Sequence, residues 1–140
     1  MRISQKSEYA LRAMLDLAFA FKDPQSRRSA DIARNQHIPE KFLELILVEL
    51  RRAGLILSQR GPVGGHRLVR SPEEISVGAI WRAIDGGLAA HVSKTNGRED
   101  PFLGVWKEVD RAIAKVVDHI SLADMCERSQ NRKSTPDYNI

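Results

Sequence analysis

Among side chains able to act as nucleophile, base or metal ligand, the chain carries one cysteine, Cys126, and four histidines, His37, His66, His91 and His119. Cys126 and His119 lie seven positions apart with no nucleophile motif around either, so covalent catalysis has no seat here. His91 with Glu99 and Asp100 offers a hard-cation cluster at most, and that stretch reads more simply as a solvated polar loop. The run Gly61-Pro62-Val63-Gly64-Gly65 sits between two β-prone segments, whereas a phosphate-binding loop would lead into a helix. No metal site and no enzyme chemistry are expected. A different chemistry fits what remains. Glu40 and Glu44 can accept from a cytosine amino group, Lys41 can donate to guanine or phosphate, and Pro39 or Phe42 can touch a thymine methyl. Arg60 precedes Gly61, Gly64 and Gly65, which would let a backbone come close to phosphates. Ser4, Lys6, Arg27, Arg28, Ser58 and Arg67 are further candidates for phosphate contact.

The charge distribution supports an anionic partner. The net charge of +4 hides an asymmetry: residues 1–70 hold 13 Lys+Arg against 7 Asp+Glu, and residues 71–140 hold 9 against 11. The first half is therefore +6 and the second −2, and nucleic acid, double-stranded DNA above all, is the polyanion such a half would meet. A solvated basic surface with no partner is the alternative, and charge alone does not decide between them. With 42% hydrophobic and 29% charged residues, the composition is that of an ordinary globular protein. No apolar run approaches a bilayer span, so no membrane association is expected. Glu8, Arg12 and Asp16 interrupt the apolar N-terminus, which argues against a secretory signal. One cysteine gives no disulfide framework, and the reading is a cytoplasmic protein.

The elements that must position these side chains follow from periodicity. Tyr9, Leu11, Met14, Leu15, Ala18 and Phe21 make one apolar face of a helix over residues 4–21, capped by Ser4 or Ser7. Ser29 is the expected N-cap of a short helix to about Gln36. After a break at His37-Ile38, Pro39 opens a third helix with Leu43, Ile46, Leu47 and Leu50 inward, stopped by Gly54. Short helix, tight turn and longer helix is the layout of a helix-turn-helix. Residues 55–60 and 66–70 then read as a hairpin, the wing of a winged helix. Ser76 caps a fourth helix that Gly86-Gly87 stop.

From Leu88 to Glu99 the chain is polar and aperiodic, and Asp100-Pro101 starts the longest apolar stripe. Phe102, Val105, Trp106, Val109, Ile113, Val116, Val117 and Ile120 are expected on one helix whose apolar side a second copy would cover. One or two turns follow to about Glu127, and the polar tail is expected to be disordered.

The passage Ala30–Gly86, with Tyr9-Ala10-Leu11-Arg12-Ala13 before it, resembles the Rrf-type family of bacterial winged-helix transcriptional regulators. The residues carrying the likeness include Ile32-Ala33, Ile38-Pro39, Arg51-Arg52-Ala53-Gly54-Leu55, Arg60-Gly61, Gly64-Gly65, Leu68, Ile80 and Asp85-Gly86. It weakens after Leu88 and resumes at Trp106 and at Ile120-Ser121-Leu122. The resemblance implies a homodimer whose long helices cross and whose winged helices meet successive turns of a roughly palindromic operator. It also implies base contact at Glu44 and entry of Arg60 into the minor groove. Many members hold an iron–sulfur cluster on three cysteines before the dimer helix; Leu88–Leu103 contains none. In one branch an acid of the first helix joins the ligands; Glu8 stands in that neighbourhood, but Arg12 occupies the companion position. No cluster is expected, and Cys126 reads as a small apolar residue or a redox thiol that Arg128 would activate.

The expected fold is mainly α with a small β-hairpin wing: a winged helix-turn-helix over residues 1–87, a loop over 88–100, a dimerisation segment over 101–128 and a disordered tail over 129–140. The expected function is sequence-specific DNA binding by a homodimeric repressor under a small-molecule or thiol signal. The alternative is a regulator acting through a bound partner protein, with Trp81, Trp106 and the loop as docking points.

Overall fold

A computed structural model describes residues 3–62, 64–86 and 100–134. Among the described residues, six helices and one hairpin follow in order: α1 Gln5–Phe19, α2 Ser29–Gln36, α3 Glu40–Arg52, β1 Ile56–Gln59, β2 Gly65–Leu68, α4 Val77–Asp85, α5 Leu103–Val117 and α6 Leu122–Ser134, with a 3-10 turn at Pro72–Glu74. The loop expected at 88–99, with His91, and the last residues of the tail lie outside the described residues.

Helix α1 starts where the Ser4 hydroxyl accepts from the Ser7 N–H. It buries Ala10, Ala13, Met14, Leu17 and Ala18, and its small residues let α2, α3, α4 and α6 pack around it. Met14, Leu17, Ile32, Leu43, Ile46, Leu50, Ile56, Ile80 and Leu122 are fully buried and form a shared core. The turn between α2 and α3 rests on His37 in the left-handed region at φ 54°, and the Ile38 N–H donates to Ala33 O at 3.0 Å. Helix α3 ends as its sequence requires, with Gly54 at φ 76°.

The hairpin pairs Ile56 with Leu68, Leu57 with Arg67, Ser58 with His66 and Gln59 with Gly65, antiparallel. Period-2 alternation sends Ile56 and Leu68 inward and leaves Leu57 and Arg67 exposed. Arg27 and His66 exchange backbone hydrogen bonds of 3.1 and 2.8 Å, so the chain before α2 lies alongside the wing.

Four boundaries differ from expectation. Ser29 is not the cap of α2: Arg28 holds that place without a side-chain bond, because the Ser29 hydroxyl lies 2.9 Å from His66 Nε2 instead. Asp100 does bond the Phe102 N–H at 2.9 Å, but Pro101 and Phe102 form a turn and the helix begins at Leu103. The long helix stops at Val117, so Ile120 is not on it. The Val77 N–H donates to Ile120 O at 2.8 Å and the Leu122 N–H to Ile75 O at 2.9 Å, a short ladder that a continuing helix could not make.

Last, the tail is helical as far as Ser134 and not disordered from 129. A capping box launches that helix: Asp124 N–H donates to Ser121 Oγ at 3.0 Å, and Ser121 N–H to Asp124 Oδ2 at 2.9 Å. Hydrogen bonding to the Asp124 carboxyl, first from the Ser121 N–H and then from the Ser121 side chain, holds it below its usual range. Arg132 and Lys133 in the last turn complement the helix dipole. Among the described residues no helix is long and apolar enough to cross a membrane.

Candidate nucleic-acid interface

Helix α3 buries Leu43, Ile46, Leu47 and Leu50, which leaves the other side of the same helix facing outward. Pro39, Glu40, Lys41, Glu44, Leu45, Arg51 and Arg52 are all exposed there. Phe42 is also partly exposed, but its ring meets Tyr9 edge to face at 5.5 Å, which places it at the seam with α1. Beside the start of α3, the wing residues Arg60 and Gly61 are exposed, as is Arg28. Arg28, Glu40, Gln59, Gly61, Gly64 and His66 line one shallow hollow where the second helix, the third helix and the wing meet. Lys41, Arg51 and Arg52 of α3, Arg60 of the wing and Arg28 before α2 are exposed cations of these elements, with Glu40 and Glu44 the exposed acids of α3.

Several expected contacts have work inside the fold. The Ser4 hydroxyl caps α1 and donates to both Asp85 oxygens, at 3.0 and 2.9 Å. Lys6 Nζ pairs with Glu49 at 2.5 Å on the flank of α3. The Arg28 guanidinium donates to the Pro62 carbonyl and so braces the wing loop. Arg27 pairs with buried Asp16 at 3.1 Å. Ser58 turns its hydroxyl inward to His66 Nδ1 at 2.7 Å, because the register sets these two side by side on the covered side of the hairpin. Gly64 is buried, and an added Cβ there would lie 2.7 Å from the Arg60 carbonyl carbon. Its glycine is needed by the hairpin itself, whereas exposed Gly61 is needed for its φ of 104°.

Three arrangements escaped sequence reasoning. His66 joins the wing to α2 through Ser58 and Ser29, and burial lowers its pKa below 6.5, with Glu44 opposing and Arg51 adding to that shift. Asp16, only 3% exposed, accepts from Arg27 and, at 3.3 Å each, from Asn35 and Gln36, tying α1 to both ends of α2. Asp85 takes the Ser7 hydroxyl at 2.6 Å, closing α4 on the start of α1. An acid inside the run Met14-Leu15-Asp16-Leu17-Ala18 was the available signal for the second.

On the far side, α5 buries none of its 15 residues. Phe102, Val105, Trp106 and Val116 are exposed, while Val109, Ile113, Val117 and Ile120 are half-buried. Val117 turns toward Gly78 of α4, where Arg82 also pairs with Asp118. Cys126 is half-buried on α6, and burial, with Glu73 adding to it, pushes its thiol pKa up. That shift runs opposite to the activation by Arg128 expected from sequence. Among the described residues, no cluster of three or more His, Cys, Asp or Glu is placed to hold a metal ion.

An exposed helix after a tight turn, followed by a basic wing, is the architecture of a DNA-reading domain. Residues 3–128 match the Rrf2 family, described as an iron-dependent transcriptional regulator. The chain belongs to the Rrf2 family. It is 33% identical to the HTH-type transcriptional regulator IscR of Aliivibrio salmonicida, a match over 100% of this chain and 86% of that one. Among solved structures it is similar to IscR of T. potens, at 34% identity and a TM-score of 0.78, over 99% of this chain and 95% of that one. CymR, the global cysteine regulator of B. subtilis, superimposes with a TM-score of 0.74 at 30% identity, over 91% of this chain and 98% of that one. This Rrf2 chain is a DNA-binding transcriptional regulator with a winged helix-turn-helix fold, and the family is one of regulators, not enzymes.

Proposed function

We propose that this Rrf2 protein is a cytoplasmic homodimeric repressor that occupies a palindromic operator. The observation that carries the dimer is α5, which is 15 residues long with no residue buried, yet presents Val105, Trp106 and Val116 along its length, with exposed Phe102 just before it. Such a contiguous apolar surface is costly in water and is relieved by a symmetric second copy. Two copies then offer two α3 helices to successive major grooves, Glu44 and Lys41 reading base edges, with Pro39, Glu40 and Phe42 beside them. Arg60 enters the minor groove, where narrow A·T-rich sequence deepens the negative potential. Arg28 and Lys6 hold phosphates, and Gly61 lets the loop approach them; Ser4, Ser58 and Gly64 act by shaping the elements rather than by contact.

The working form is cluster-free. One cysteine, half-buried Cys126 with its thiol pKa raised, cannot supply the thiolate set on which an iron–sulfur cluster is built. Its signal is then a small-molecule effector, a partner protein or the state of that thiol.

Sedimentation of the purified chain with footprinting on a selected operator tests the whole reading. A mass of two chains and two protected half-sites about one helical turn apart are expected. A Val105→Glu, Trp106→Ala double variant should run as a monomer and lose the paired footprint. A wild-type monomer protecting a single half-site overturns the dimer. Iron and acid-labile sulfide in anaerobically prepared protein overturn the cluster-free form.

A further inference from the structure

Leu45 is 66% exposed, more than any other large hydrophobic among the described residues, although it stands in the middle of α3. The spacing of Lys41, Leu45, Val48 and Arg52 puts the four on the side opposite Leu43, Leu47 and Leu50. Leu45 therefore points away from its own core, one turn from a cation on one side and two turns from another. With Phe42, Val48 and the Lys6–Glu49 pair it lines a shallow hollow on the outer surface of the helix. A lone exposed leucine is ordinary on a protein surface. Here it occupies the centre of the element that faces the major groove, a place where a polar side chain would be solvated at no cost.

We infer that Leu45 reads the 5-methyl group of a thymine, next to the base pair addressed by Glu44. The inference rests on the base-reading role proposed for α3. Leucine has neither donor nor acceptor, so on the major-groove edge it can gain only from apolar surface, and the thymine methyl is the apolar group displayed there. Lys41 and Arg52, on the same side, place positive charge toward the groove walls and leave the floor to Leu45 and its neighbour Glu44. The pair Glu44-Leu45 then selects cytosine and thymine at adjacent steps, one through a hydrogen bond and one through a methyl contact.

The full chain is used to select a site from random duplex DNA at fixed salt, and each thymine of that site is then replaced singly by deoxyuridine. Removing the methyl at one position per half-site should weaken wild-type binding about fourfold, the worth of one buried carbon. Leu45→Ala should bind the thymine site at least that much more weakly and be indifferent to deoxyuridine there. Leu45→Gln should move the preferred base at that position toward adenine. Since Leu45 is exposed, both variants should melt at the wild-type temperature, which separates reading from folding. Wild-type protein that binds every deoxyuridine site as tightly as thymine, or Leu45→Ala that keeps full affinity or the deoxyuridine penalty, overturns the assignment. Failure to enrich any sequence overturns the DNA-reading role itself along with it, whereas enriched but methyl-blind binding removes Leu45 alone.

Discussion

Ser58 Oγ lies 2.7 Å from Nδ1 of His66, its partner across the hairpin, and the opposite ring nitrogen lies 2.9 Å from Ser29 Oγ at the start of α2. In a neutral imidazole one nitrogen donates and the other accepts, and a hydroxyl can answer either. The wing is thus fastened to the helix-turn-helix by one half-buried ring, flanked by Glu44 and Arg51 of α3 and by the Arg27 backbone.

Burial lowers the His66 pKa below 6.5, so as pH falls the unfolded chain takes up this proton before the folded one does. Its contribution to stability is full above pH 6.5, declines below it, and levels off once the folded-state ring is itself protonated. The melting temperature should therefore fall more steeply from about pH 7.5 to about pH 5 in wild type than in His66→Gln. Equal slopes would show that His66 is not the source.

Removing Asp16 strips three donors of a shared acceptor in a site that is 3% exposed. Asp16→Ala should cost about 3 kcal/mol in denaturant unfolding, toward the lower end for breaking a buried pair, because Arg27 keeps some access to water. Asp16→Asn, which keeps an acceptor oxygen, should lose less. A cost below about 1 kcal/mol for the alanine would mean the cluster is not a structural tie.

At Gly64 a methyl group would meet the Arg60 and Gln59 backbone, with no flexible atom to yield. Gly64→Ala should open the hairpin and reduce operator affinity at least tenfold while the helical core stays folded by circular dichroism. Gly61 has nothing within 4 Å of such a methyl, and only its φ of 104° resists. Gly61→Ala should therefore cost no more than about 2 kcal/mol in stability.

Arg60 is exposed at the wing, so its loss should act on binding and not on folding. Arg60→Ala should weaken the operator complex by about 1–3 kcal/mol at fixed salt with an unchanged melting temperature. Sequence preference should relax at A·T positions in the flank. Wild-type affinity in this variant would remove the wing from recognition.

Local rules make most of the elements legible in the sequence. Apolar residues at three- and four-residue spacing marked α1, α3 and α4, and Ser4, Ser76, Gly54 and Gly86 punctuate the chain as capping chemistry requires. The wing was readable from two β-prone runs around glycines, and the DNA-facing half from its charge. Apart from that charge balance, those signals are carried by neighbours along the chain, within one or two turns.

What the tertiary structure decided are relationships between residues far apart in sequence. Ser29 looked like a cap until His66, 37 positions on, claimed its hydroxyl. Ile120 looked like the next step of a helical stripe until Val77 took its carbonyl. Arg27 and Ser58 looked free for phosphate until Asp16 and His66 engaged them. A polar side chain carries the same letter whether it faces water, DNA or a buried partner, and only the packing of distant segments determines which of these it meets.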